Sequence, residues 1–342
     1  MIDREGLDKP FIVKDYIFYM FFNIISASIL GKSYTMDDPE LKRFKYVLMD
    51  VGHEVGARFM LWDFSSFIRL LDRRSVQKQQ QILTEMSLMI RNKFKDHYAD
   101  YSDAIERDIC DALITAKNEA LREGKEWAPY LTDDNLAMSA MSLFLGGIST
   151  SQNTFQWIVL LMCYYPEVQR KLRQEIETQI GDRMPTHEDR NRCHYVMAFI
   201  AETLRFRNII PIGVPHRALV DIQIGKYAIP ENTSVAVYHG IICRNDKDWH
   251  KANEFIPERF LDSEGRYITV RSKAYIPFGV GRRMCLGEKL AIADLFLVLV
   301  TFLQSTRHYN IVVESGTGID ADPNGSQHMT APIYKVAFST II

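Results

Sequence analysis

Cys285 is the residue of this 342-residue chain whose surroundings are best suited to chemistry. It lies in the segment FGVGRRMCLG, Phe278 to Gly287, directly before a stretch from about Glu288 to Leu303 whose apolar pattern predicts a helix. A cysteine at a helix start meets free backbone amides and the positive end of the helix dipole, and both favour the thiolate. Thiolates are nucleophiles and metal ligands. Gly279, Gly281 and Gly287 keep the loop thin, so a flat macrocycle can lie against it. Phe278 can shield the sulfur from water, and Arg283 can present its guanidinium to an anionic group. A buried structural cysteine beside a glycine-rich turn is the better explanation of an isolated Cys. It does not explain the whole pattern FxxGxRxCxG.

Other groups draw attention in order along the chain. Gly146, Gly147, Ile148, Ser149, Thr150 and Ser151 interrupt a predicted helix from about Asp133 to Tyr165. Two glycines inside a helix cost about 1 kcal/mol each relative to Ala and leave a notch where another group can approach the backbone. Glu202 and Arg205 in AETLR are spaced to share one helix face. Glu258, Arg259 and Phe260 follow in PERF, and His216 and Arg217 follow Pro215.

The elements that must position these residues are mostly helical. Tyr16 to Leu30 reads as a buried helix: at about 15 residues it falls short of the ~20 a membrane span needs, and Asn23, Ser26 and Ser28 interrupt it. The stretch from Arg74 to about Arg122 contains neither Gly nor Pro and predicts one or two amphipathic helices. Gly124 to Leu131 breaks the pattern, and Thr132 and Asp133 can cap the next helix. Further helices are expected from Glu167 to about Ile180 and from about Tyr195 to Arg207. Ile222, Ile224, Tyr227 and Ile229, around Gly225, predict a hairpin continued by Val235 to Tyr238. Strands are expected near Tyr309 to Val313 and Ile333 to Phe338. The class is mainly α with a small β region, helical over 1–207 and mixed strand, loop and helix over 208–342.

Composition bounds the function. The chain is 47% hydrophobic and 25% charged, an ordinary globular balance. A net charge of −2 gives no electrostatic case for nucleic acid. The 19 Phe, 16 Tyr and 14 Met suit an irregular apolar pocket, or simply a well-filled core. Five scattered cysteines without a CxxC pair argue against a disulfide framework or a structural zinc site.

The Cys285 segment resembles the haem-binding loop of the cytochrome P450 superfamily. AETLR matches that family's ExxR helix motif, and PERF matches the later motif whose arginine joins the pair. The resemblance implies a P450 fold and haem b held by the Cys285 thiolate. Arg283 and His216 would contact haem propionates, with Phe278, Gly279, Gly287 and Gly147 also against the cofactor. Glu202, Arg205 and Arg259 would form a structural triad. The helix around Gly146 is similar to the family's distal helix, of pattern Ala/Gly-Gly-x-acid-Thr-Thr. By that match Thr150 and Ser149 are the catalytic candidates, Thr150 holding the water that delivers protons to bound oxygen. Ser149 replaces the usual acid and Ser151 the second Thr, and a hydroxyl does not relay protons as a carboxylate does. Gly146, Ile209, Ile210 and Ile212 lie where the family lines its substrate pocket, though the isoleucines also suit a plain core.

The stretch from Met184 to Ile229, then CRNDKDWH and EFIPERFLD, is similar to the microsomal steroid 17α-hydroxylase/17,20-lyase branch, with the drug-metabolising family 2 enzymes as near neighbours. That likeness implies a monooxygenase acting on an apolar, steroid-like substrate. It implies an NADPH-dependent reductase flavoprotein as electron donor and an endoplasmic reticulum membrane location for the full-length relative. No Trp is followed by Arg four positions later, as a WxxxR propionate clamp requires. The expectation is therefore a partial catalytic domain, 1–342, lacking the N-terminal part of the fold and its membrane anchor. Two alternatives stand beside it: a haem-thiolate isomerase or dehydratase, toward which Ser149 leans, and an inactive haem-binding fragment.

Overall fold

The computed structural model describes residues 1–51, 62, 66–269, 272–320 and 329–340. Its contacts divide the chain into two compact units, one formed by Lys14–Gln152 and the other by Met1–Val13 together with Asn153–Ile342. No helix among the described residues is long and apolar enough to cross a membrane.

The first unit is helical. Its main helices are α1 (Lys14–Leu30), α2 (Pro39–Lys45), α3 (Arg73–Ala99), α4 (Ile109–Arg122) and the first half of α5 (Asp133–Tyr164). In α1, Ile17, Phe18, Phe21, Phe22, Ile25 and Ile29 are buried, the three- and four-residue spacing of one helix face. Phe22 packs against Tyr34, Phe44 and Phe144 with ring centroids 5.3, 5.3 and 5.4 Å apart, so an aromatic cluster joins α1, α2 and α5. The single gap-free stretch read from Arg74 to Arg122 resolves into α3 and α4. Asp108 caps α4 by accepting from the Asp111 amide at 3.1 Å. Thr132 caps α5 through the Asn135 amide at 3.2 Å, as expected.

The second unit packs α6 (Pro166–Gln179), α7 (His194–Phe206) and α8 (Glu288–Ser305) beside the second half of α5. Every residue of α7 from Tyr195 to Phe206 is buried, so this helix is enclosed on all sides. A three-stranded antiparallel sheet in the order β1-β7-β6 joins Phe11–Ile12, Lys335–Thr340 and Tyr309–Val313. β1 was not expected: two residues carry no readable period, and the partner strand lies at the far end of the chain. The C-terminal strand starts at Lys335, two residues later than expected.

Two small ladders occupy the middle of the sequence. β3 (Ile222–Ile224) and β4 (Tyr227–Ile229) form the expected hairpin around Gly225, whose φ of +60° is a conformation glycine adopts freely. The expected continuation from Val235 to Tyr238 is corrected. β5 is only Ser234–Val235, and it pairs with β2 (His216–Arg217), His216 opposite Val235, instead of extending the hairpin. Pro230 ends the hairpin because it supplies no ladder N–H. Tyr238 precedes a short helical turn, His239–Ile242.

One half-buried acid on α8 carries a measurable consequence. Burial pushes the Asp294 carboxyl up to about 6, and its Oδ2 has no hydrogen-bond partner among the described residues. The folded chain therefore keeps a proton that the unfolded chain has already released, so stability falls as pH rises from the ordinary carboxylate range through about 6. Asp294→Asn is expected to raise the melting temperature at about pH 8, and the gain is expected to fade toward about pH 4. A variant less stable than the parent at both pH values contradicts this reading.

Candidate functional site

Glu202 and Arg205, both on α7 and both fully buried, form a saturated ion pair. Arg205 donates from Nε to Glu202 Oε2 at 2.7 Å and from Nη2 to Oε1 at 2.8 Å. Its other donors reach the carbonyls of Cys243, Ala252 and Glu254 at 2.9, 2.9 and 3.1 Å. All five N–H groups of the guanidinium are thus used. Glu202 Oε1 also accepts from the Ile256 amide at 2.8 Å and from Arg259 Nε at 3.1 Å. Arg259 in turn donates to the carbonyls of His250, Lys251 and Glu254. The structure brings together the three residues expected as a triad, and their geometry ties the irregular segment 243–259 to α7.

That segment carries the next layer. Trp249, Phe260 and Tyr275 pack on one another at centroid distances of 5.9, 6.3 and 5.2 Å, against Ala198 and Ala201 of α7. The Tyr275 hydroxyl donates to the Ala201 carbonyl at 3.3 Å. Tyr275 stands three residues before Phe278, so the anchored aromatic cluster fixes where the cysteine loop begins.

The loop is a tight double turn. The Gly279 amide donates to Ile276 O at 3.1 Å, the Met284 amide to Gly281 O at 3.2 Å, and the Cys285 amide to Phe278 O at 2.8 Å. Gly279 and Gly281 sit at φ of +75° and +78°, where a side chain would be strained. Gly287 is the N-cap residue of α8, and a Cβ there would lie 3.9 Å from the Cys285 sulfur. Cys285 therefore sits ahead of the open amides of an 18-residue helix, as expected. It is exposed, whereas Cys110, Cys163, Cys193 and Cys243 are buried. Val280, Met284 and Leu286 around it are 65%, 47% and 89% exposed. Large apolar side chains held in the open beside a sulfur suit an apolar partner. Arg283 is exposed on the same loop, while Phe278 is half-buried.

The segment after α7 approaches this loop from the same unit. Asn208 donates from its side chain to Pro277 O at 3.5 Å. Ile209 is buried, Ile210 half-buried and Ile212 exposed, so of the three isoleucines expected at the pocket only Ile209 is enclosed. His216 and Arg217 are exposed on β2. One nearby residue had no signal in the motif pattern. His239 lies against Gly213 and Gly279, within electrostatic reach of His216. Only the glycines at 213, 240 and 279, which make room for close packing, hinted at it.

Gly146 to Ser151 belong to the other unit, on α5. A Cβ on Gly147 would come 2.9 Å from Ile25 Cδ1, so the close approach this glycine permits is the packing of α1. A Cβ on Gly146 would meet nothing within 4 Å. The Thr150 hydroxyl donates to the Gly146 carbonyl at 2.5 Å. Ser149 is half-buried beside it.

His97, Asp108 and Asp111 in the same unit bring three ligand atoms within 4.8 Å of one another. Their hydrogen bonds already explain them. Asp108 caps α4, His97 Nε2 lies 2.6 Å from Asp108, and the Arg107 guanidinium donates to Asp111 at 2.7 and 2.9 Å.

Two outcomes are expected. Arg205→Leu leaves Glu202 buried with part of its donor set gone, a loss of about 3–5 kcal/mol in denaturant unfolding. Arg205→Lys recovers little of it, because a point charge with three donors cannot span five sites. A loss well under 1 kcal/mol would contradict the network's role. The second outcome concerns the thiols. Burial pushes Cys110, Cys163 and Cys193 up to about 12 and raises Cys243 as well. In cofactor-free protein near neutral pH, an alkylating reagent followed by mass spectrometry is expected to mark Cys285 first. Modification of Cys163 at a similar rate counts against the structure.

Comparison with known proteins gives the family. The family described as Cytochrome P450 matches residues 3–332. The steroid 17-alpha-hydroxylase/17,20 lyase of Ictalurus punctatus is 34% identical over 284 residues, covering 82% of this chain and 55% of that protein. The protein of that name from Squalus acanthias is 33% identical over 284 residues, with 82% and 56% covered. Its Gallus gallus counterpart is 34% identical over 288 residues, with the same shares. The chain spans about half the length of these curated relatives. With its exposed cysteine loop, its saturated Glu-Arg-Arg network and a family match along nearly its whole length, the chain belongs to the cytochrome P450 family.

Proposed function

We propose that the chain is the larger part of a haem-thiolate monooxygenase that inserts one oxygen atom from O2 into an apolar substrate. The observation that carries this reading is the exposure of Cys285, alone among five cysteines, ahead of α8 in a loop thinned by glycines. These residues fit an iron porphyrin. Cys285 would ligate the iron, and Gly279, Gly281 and Gly287 remove side chains that would stand between loop and macrocycle. Val280, Met284 and Leu286 offer apolar surface, while Arg283 and His216 are exposed donors suited to the two propionates. Haem held by a thiolate supplies oxygen activation, because the sulfur donates electron density that favours O–O cleavage.

Thr150 is the proton-positioning residue in this reading. Its hydroxyl is held to Gly146 O at 2.5 Å, which fixes where the oxygen stands on α5. Ser149 can carry a proton only by hydroxyl exchange, so a water chain takes the part a carboxylate would play. Gly146, where an added Cβ would meet open space, and Ile210 and Ile212 are the substrate-facing candidates. The relatives are named for steroid hydroxylation and lyase activity, which favours a rigid, largely apolar substrate of steroid size. A reductase flavoprotein drawing on NADPH is the electron donor in this reading.

The reduced carbon monoxide complex tests the ligand. Haem-loaded chain is expected to show the red-shifted Soret band of thiolate ligation, and Cys285→Ala to lose it while α-helical content stays unchanged. A histidine-type band in the parent protein overturns the proposal.

A further inference from the structure

We propose that His239 is a second imidazole for a cofactor carboxylate, acting beside His216, and that Gly213 lacks a side chain in order to admit it. The inference rests on the haem site proposed above. His239 opens the short helical turn His239–Ile242. A Cβ on Gly213 would lie 2.9 Å from its Cε1, 3.0 Å from its Nε2 and 3.2 Å from the Val237 carbonyl. A Cβ on Gly279 would lie 3.7 Å from the same Cε1. The ring therefore rests on the backbone of the 211–217 segment and against the first glycine of the cysteine loop.

The backbone holds it there. The Gly213 amide donates to Val237 O at 2.8 Å, and the Gly240 amide donates to Pro211 O at 2.9 Å. A Cβ on Gly240 would meet Pro211 Cβ at 2.9 Å, so this approach also needs a glycine. Two glycines thus seat one imidazole between the strand that carries His216 and the loop that carries Arg283. No described residue hydrogen-bonds either ring nitrogen of His239. Burial and the neighbouring His216 lower its pKa, which keeps the ring neutral, yet a neutral imidazole still has one N–H to donate. A half-buried donor without a partner among the described residues, beside residues suited to a carboxylate, is placed to take one.

The test measures how fast haem leaves the full chain for an excess of apomyoglobin, followed by absorbance. Parent, His239→Leu and His239→Gln proteins are each loaded with haem and, separately, with haem dimethyl ester, which has no free carboxylates. His239→Leu is expected to lose haem about tenfold faster, the effect of one charge-assisted hydrogen bond. His239→Gln is expected to recover most of the difference, because its amide also donates. With the dimethyl ester, parent and His239→Leu are expected to release at the same rate. Equal rates with haem, or the same excess with the ester, overturn the inference and leave His239 a packing residue. A parent chain that takes up no haem overturns the proposed function, and this inference with it.

Discussion

The Glu202 carboxylate is the contact on which the rest of the site depends. It is fully buried, and Arg205, Arg259 and the Ile256 amide surround it with the donors a buried carboxylate requires. The two arginines then spend their remaining donors on carbonyls between Cys243 and Glu254. A segment with almost no regular structure is thereby held by side chains from α7 and the PERF turn. Replacing either arginine removes a charge and unpins several backbone carbonyls together, so the network behaves as one unit.

From this anchor the order propagates by packing. Trp249, Phe260 and Tyr275 pack tilted or edge-on between the tethered segment and α7, and Tyr275 leads into the cysteine loop. The loop is then shaped by its own glycines, and α8 follows it directly. The chemistry assigned to Cys285 needs a sulfur held open, and openness is what its backbone imposes. The other four cysteines are carried on or beside elements that bury them.

Much of this was legible in the sequence because it is local. The helices from α3 to α8 follow from apolar periodicity, capping residues and proline. FGVGRRMCLG encodes its turns, its sulfur and its guanidinium in one short segment. The parts that were not legible depend on partners distant in sequence. Val235 pairs with His216 and not with the hairpin beside it. Phe11 pairs with Val336 at the other end of the chain. Gly147 read as room for a ligand, yet its neighbour is Ile25. His239 showed no motif at all, and its significance comes from Gly213 and Gly279 making space for a ring. Steric complementarity of this kind has no period in sequence.

Iron-edge X-ray absorption of the haem-loaded chain tests the central claim most directly, because it reads the atoms bonded to the metal. One sulfur in the iron's coordination shell is predicted for the parent protein, and none for Cys285→Ser. A shell of nitrogen and oxygen alone in the parent protein would contradict the assignment of Cys285 as the ligand.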